Sequence, residues 1–269
     1  MSEMYVHDDD FTDGWTQSDA VVVLHGFGRS GELFRGWVPH LGRQHRVLRP
    51  DLPGCGRSAI PPPDHEFSTD GLLTQVMSVI DERGLDRVHL VGEGIGGVLS
   101  TILAGRHPDR VVSLTAMTMP FYVDDAIQRS HAVGHESWQS AIETLGTRAW
   151  WLEARGAAGD LTGDAAIDGY IADEVGRTPP HVAVALSRWA VGWNFRDLLP
   201  LVQAPTLLVW AENAGFVSQT ARDDMAALAP NASQWLVPGV TSQMFPFIHP
   251  DLAAPRVAAF IAEHARAAA

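Results

Sequence analysis

The apolar positions of this chain fall into two alternating patterns. Short unbroken runs, AVVVL at 20–24 and RVHLV at 87–91, are rich in β-branched residues and bounded by glycine or polar residues. An unbroken apolar run of this length predicts a strand buried on both faces of a parallel sheet. RVLRP at 46–50, RVVSLTAM at 110–117, PTLLVW at 205–210 and QWLV at 234–237 have the same character. Between the strands the period lengthens. Leu72, Val76, Val79 and Ile80 recur at helical spacing ahead of Gly84, which predicts a helix over 69–83. Residues 95–106 predict a second helix, ending before His107-Pro108, and 250–266 predict a final amphipathic one.

Strands alternating with helices at this spacing predict an α/β fold with a mostly parallel, doubly wound sheet. The alternation stops over 121–195. That stretch has helical segments, no convincing strand, and Trp138, Trp150, Trp151, Trp189 and Trp193. The expected plan is therefore a core of 1–120 and 196–269 with a helical cap inserted at 121–195. No internal repeat is visible.

Composition narrows the function. With 269 residues, 46% of them hydrophobic, the chain is long enough for a large single core. Its formal net charge of −13 repels phosphate backbones, so a nucleic-acid partner is not expected. Cys55 is the only cysteine, which excludes an internal disulfide. The acidic N-terminus lacks the layout of a signal peptide, and no apolar run is long enough for a membrane span. The expectation is a cytoplasmic protein with a small-molecule ligand, no membrane partner and an oligomeric state that the sequence leaves open. All the basic residues are arginine, so no lysine is available for Schiff-base chemistry. The histidines, His131, His135 and His181 among them, lack metal-ligand spacing, and no dinucleotide or Walker loop is present. Neither metal nor cofactor is expected.

Three segments in order carry more information: HGFG at 25–28, DLPGCGRS at 51–58 and LVGEGIGG at 90–97. Together they resemble the oxyanion loop, the D-x-P-G-x-G-x-S segment and the nucleophile elbow of capped α/β-hydrolase-fold proteins, and the resemblance runs nearly the whole length of the chain. It implies a nucleophile third in the G-x-S-x-G elbow. Here that position is Gly94. It implies an acid after the strand at 205–210, and the position falls on Ala214, beside Glu212 and Asn213. It implies a histidine ahead of the last helix, and the spacing to Pro250 puts Gln243 there. All three triad-equivalent positions, Gly94, Ala214 and Gln243, thus lack the expected chemistry, which argues against an acyl-enzyme.

By the same resemblance, the backbone amides of Phe27 and Ile95 are the oxyanion-type donors, able to stabilise an alkoxide, an enolate or a bound carboxylate. Glu93 precedes the elbow tip. It reads either as a desolvated proton shuttle or as a buried strut. His25 reads mainly as structural, and Gln243 as a hydrogen-bonding group that does not titrate. Asp124 and Asp125 lead into the cap, where some relatives place a substitute acid. Trp150, Trp151, Trp189, Phe121 and Met244 are candidate substrate-binding residues, with Met117, Met119, Phe245 and Phe247 as further apolar lining. The favoured expectation is a lyase- or isomerase-type enzyme performing elimination, decarboxylation, cyclisation or isomerisation on an aromatic or polyketide-like molecule. A ligand-binding pseudoenzyme, and a hydrolase using an activated water, stay open beside it.

Overall fold

The computed structural model describes residues 4–15, 17–213 and 217–265. Its centre is a seven-stranded sheet: β1 (Val6–Asp9), β2 (Ala20–Leu24), β3 (Val47–Pro50), β4 (Val88–Glu93), β5 (Val111–Met117), β6 (Thr206–Ala211) and β7 (Ala232–Val237). The order is β1-β3-β2-β4-β5-β6-β7, with β1 antiparallel to β3 and every other pairing parallel. The helices are α1 (Val38–Leu41), α2 (Thr69–Asp81), α3 (Ile95–Arg106), α4 (Asp125–Ala132), α5 (Trp138–Leu145), α6 (Thr147–Ala157), α7 (Ala165–Gly176), α8 (Pro180–Ala190), α9 (Gln219–Leu228), α10 (Phe245–Ile248) and α11 (Pro250–His264).

The unbroken apolar strands are explained by burial on both sides. In β2, Val22 and Leu24 face a core built with α2 and α3, while Val21 and Val23 face a core built with α11. The pleat sends successive side chains to opposite faces, so neither face tolerates a polar residue. Helices α4 to α8 lie between β5 and β6 in the chain, where the strand pattern lapses.

The predicted boundaries match those of β2 and α3 and elsewhere differ by one or two residues. One strand escapes the pattern altogether. β1 reads VHDD, and its place is set by pairing with β3 and by two cross-strand ion pairs, Asp8 with Arg46 at 2.7 Å and Asp9 with Arg49 at 2.8 Å. An edge strand facing solvent needs no apolar run. No described helix is long and apolar enough to cross a membrane.

Candidate active site

Strand β4 ends at Glu93 and helix α3 begins at Ile95, leaving one residue for the reversal. Gly94 takes φ 54 and ψ −122, a region that L side chains rarely adopt. The bend is held by Gly94 N–H donating to the Met117 carbonyl at 3.0 Å and by Val98 N–H donating to the Gly94 carbonyl at 3.1 Å. Close approach elsewhere in the turn also demands glycine. A side chain on Gly96 would strike the Leu24 and His25 carbonyls, and one on Gly92 would strike the Gly96 carbonyl. Gly94 is different: a Cβ there meets only Gly26 Cα at 3.5 Å and Arg29 Nη1 at 3.8 Å. The elbow tip thus has room for a side chain that the sequence does not supply.

Above this tip lie two adjoining chambers. The inner one, of about 60 Å³, is lined by Gly94, Phe27 and Ile95, by Glu93 and Arg29, and by tryptophans of the inserted helices. The outer one, of about 380 Å³, is lined by Phe121, Tyr122, Asp124, Asp160 and neighbours. Pro120, Ile127, Arg155 and Gln243 belong to both walls and form the neck between them.

Glu93 faces the inner chamber, and its oxygens are occupied. Arg29 Nη1 donates to Oε1 at 2.9 Å and to Oε2 at 2.7 Å, and Thr118 Oγ1 donates to Oε1 at 3.1 Å. The pair is almost fully buried. Thr118, at the end of β5, reaches Glu93 from a backbone with φ 46, an unusual value for a β-branched residue. Arg29 also donates from Nη2 to Met244 Sδ at 3.5 Å and stacks its guanidinium on Phe247 at 5.3 Å. Its Nε is buried with no acceptor among the described residues.

His25 is fully buried away from both chambers. Its Nδ1 lies 2.8 Å from the Gly26 carbonyl, and its Nε2 accepts from Leu52 N–H at 2.8 Å. Burial lowers its pKa. Both nitrogens serve backbone groups, which ties the oxyanion loop to the segment after β3. Gln243 does stand in the cavity wall, and its backbone N–H donates to Asp160 Oδ1 at 2.7 Å. Ala214 lies outside the described residues. Glu212, two positions earlier, is exposed and accepts from Gly239 N–H at 2.9 Å. Asp124 caps α4, accepting from Ile127 N–H at 2.8 Å; Asp125 begins that helix, exposed.

The apolar candidates divide. Trp150 and Trp151 line the inner chamber, and Phe121 lines the outer one. Trp189 does not line either. Its indole N–H donates to Thr69 Oγ1 at 3.2 Å, which ties α8 to the start of α2. Met244 is buried, accepts from Arg29 Nη2 and lines neither chamber. Met117 and Phe245 belong to the core on the opposite face of the sheet, and Met119 packs beside Thr101. Expecting all of them in one lining overlooks that a buried strand places alternate residues on opposite faces.

Several site residues were not picked out in the sequence. Arg29 sits inside the glycine-rich HGFGRSG, where the glycines dominate the reading. His131 donates from Nδ1 to the Ile127 carbonyl at 2.8 Å, so Nε2 is the acceptor, 3.3 Å from Arg155 Nη2. Burial, then the Arg155 guanidinium, push His131 down to about 3, so the ring is neutral. Arg155 pairs with Asp160 at 3.3 Å. No short motif marks these positions; only the packing of α4 against α6 brings them together.

The chain matches the family model for the alpha/beta hydrolase fold over residues 19–241. Pimeloyl-[acyl-carrier protein] methyl ester esterase of Edwardsiella ictaluri is 26% identical over 244 residues, covering 86% of this chain and 88% of that one. The same-named esterase of Aeromonas hydrophila is 35% identical over 40% of this chain and 41% of its own length. A haloalkane dehalogenase of Psychrobacter cryohalolentis is 34% identical over 43% of this chain and 38% of its own length. These two matches span only about two fifths of the relatives concerned. Among solved structures, a thermophilic esterase from Thermogutta terrifontis superposes with TM-score 0.81 at 19% identity, covering 98% of this chain and 94% of that one. The enol-lactonase of Burkholderia xenovorans LB400 superposes with TM-score 0.77 at 18% identity, covering 97% of each. The seven-stranded sheet, the sharp turn after β4 and the family match agree: this chain belongs to the alpha/beta hydrolase fold family.

Proposed function

We propose that this protein is an enzyme that acts on a small carbonyl compound without a covalent intermediate. The observation that carries this reading is Gly94. The elbow tip has the strained backbone and the free space of a nucleophile position, but no side chain. Gln243, in the wall where a base is expected, does not titrate. The relatives named above are hydrolases, and the departure from them rests on these positions.

What the chamber offers instead is charge stabilisation. Phe27 and Ile95 line the chamber beside Gly94, at the N-terminal end of α3, and their backbone amides are assigned as the donors. When a bond beside a carbonyl breaks, its electron pair moves onto the carbonyl oxygen. Decarboxylation takes that enolate-forming step without a base: the carbon–carbon bond to the carboxylate breaks, carbon dioxide leaves, the electron pair moves onto the ketone oxygen and water then protonates the carbon, while fixed donors lower the barrier. Glu93 is assigned to hold Arg29 rather than to carry a proton, because its oxygens are already engaged. Phe121, Tyr122 and Val217 of the outer chamber hold the apolar body of the substrate.

The test pairs turnover with mass. A panel of β-keto acids, β-hydroxy ketones and enol esters is screened by product mass spectrometry, with the intact protein weighed during turnover. Ile95→Pro removes one donor amide at the first helical position, where proline is tolerated. It is expected to slow turnover by about 100-fold or more. A trapped covalent adduct, or labelling by a fluorophosphonate, would overturn the reading. The Arg29–Glu93 lock also favours a second one, a ligand-binding protein without turnover. Tight binding with no product from any panel member would establish it.

A further inference from the structure

The inner chamber is rich in donors and poor in free acceptors. Trp138, Trp151 and Trp193 line it, and each has a buried indole N–H with no acceptor among the described residues. Arg29 Nε is in the same condition, in a residue 7% exposed. The one carboxylate among the described residues of the wall, Glu93, is spent on Arg29 and Thr118. A buried donor without an acceptor is costly, and the side chains around this chamber are short of acceptors.

Charge points the same way. The ionised groups lining the inner chamber are Arg29, Arg155 and Glu93, against a neutral His131. Arg155, also 7% exposed, is only loosely compensated. Its contacts to Asp160 Oδ2 and His131 Nε2 are both 3.3 Å, while Asp160 Oδ1 is committed to the Gln243 amide at 2.7 Å. Burial lowers the pKa of Arg155; Asp160 opposes that shift and Arg29 adds to it. The α3 N-terminus adds a partial positive charge at Gly94.

We propose that the inner chamber is a carboxylate receptor, seating a monoanionic carboxylate of the ligand against Arg155 at the neck, the residue that selects it. The apolar remainder of the ligand extends past Pro120 and Ile127 into the outer chamber. The inner volume of about 60 Å³ suits a head group of a few atoms and is far too small for a whole drug-sized ligand. Glu93 in the same wall sets the charge limit: a phosphate dianion meets a fixed negative group that a carboxylate, with half the charge, tolerates. This names the ligand class for the proposed function and rests on that reading only for turnover.

The experiment is calorimetric titration of the full chain with phenylacetate and 4-phenylbutyrate, their neutral amides, and phenyl phosphate. The acids are expected to bind about tenfold or more tightly than the amides, with an advantage that shrinks as salt is raised. Arg155→Met erases that preference. Arg155→Lys keeps part of it, and serves in place of Arg155→Met should the latter not fold. Amides binding as well as acids, no binding of either, phenyl phosphate binding best, or a preference unchanged in both variants would each overturn the proposal. A covalent adduct in the mass experiment would instead overturn the catalytic reading and leave the acid preference standing.

Discussion

Arg29 places a single nitrogen on both carboxylate oxygens of Glu93, at 2.9 and 2.7 Å, beside the elbow glycine. The two residues are 64 positions apart, and the fold buries both. A guanidinium so enclosed depends on its counter-charge. Glu93→Gln keeps the shape and removes that charge, and is expected to cost about 3–5 kcal/mol of stability. The Arg29→Met/Glu93→Leu double variant removes both charges and is expected to cost less than either single change. Urea denaturation of Glu93→Gln, Arg29→Met and the double variant measures this. A Glu93→Gln cost below about 1 kcal/mol would mean that the pair is not a buried lock.

Gly94 and Gly96, two residues apart, are expected to respond oppositely to alanine. Gly94→Ala meets no close neighbour and bears only the cost of its backbone angles, about 1–3 kcal/mol. Gly96→Ala drives a methyl into the Leu24 and His25 carbonyls, which belong to the sheet and cannot move aside. Soluble, folded Gly94→Ala beside a Gly96→Ala that fails to fold is the expected pair of results by circular dichroism. Gly94→Ser should likewise fold and remain unlabelled by a fluorophosphonate, since Gln243 cannot take its proton.

Acid should destabilise this protein through three buried histidines, His25, His89 and His131, whose pKa values burial lowers. His89 and His131 are both held down to about 3, by burial first and then by His45 and Arg155 respectively. An unfolded chain protonates its histidines near pH 6.5. Between about 6.5 and 3 the unfolded state therefore binds protons that the folded state refuses, so stability falls as pH falls. The slope is at most about 1.4 kcal/mol per pH unit for each histidine. His89→Gln is expected to flatten the denaturation midpoint over that range and to leave it unaffected by pH above 7. An equal slope in the variant would remove His89 from the account.

The sheet was legible because its strands are buried on both faces, which leaves apolar runs that no helix period imitates. The elbow was legible because Gly92, Gly94 and Gly96 are each forced by backbone geometry or close approach, and forced positions leave fixed spacings. β1 was not legible, since VHDD is held by pairing and by arginines distant in sequence. The same limit hid the chemistry of the chamber. Arg29, His131, Arg155 and Asp160 come from separate elements, and only tertiary packing gives them partners. Trp189 shows the converse: a residue of the right type in the right segment, turned to a different task.

That last contrast gives a test of where the ligand lies. Trp150 donates its indole N–H to the His131 carbonyl at 2.8 Å and stacks on Trp138 with centroids 6.0 Å apart, inside the inner chamber. Trp189 binds Thr69 across the boundary between α8 and α2 and packs edge-on against Trp193 at 4.6 Å. Replacing each by phenylalanine removes an indole N–H and part of a ring. Trp189→Phe is expected to lose about 1 kcal/mol of stability through its hydrogen bond and to leave phenylacetate affinity unchanged. Trp150→Phe loses a comparable bond, but it also frees the His131 carbonyl and shifts the wall beside Arg155, so phenylacetate affinity should fall several-fold. Titration and thermal melting of the two variants separate the effects. Equal loss of affinity in both would mean that the ligand reaches Trp189, and that the two chambers do not hold it.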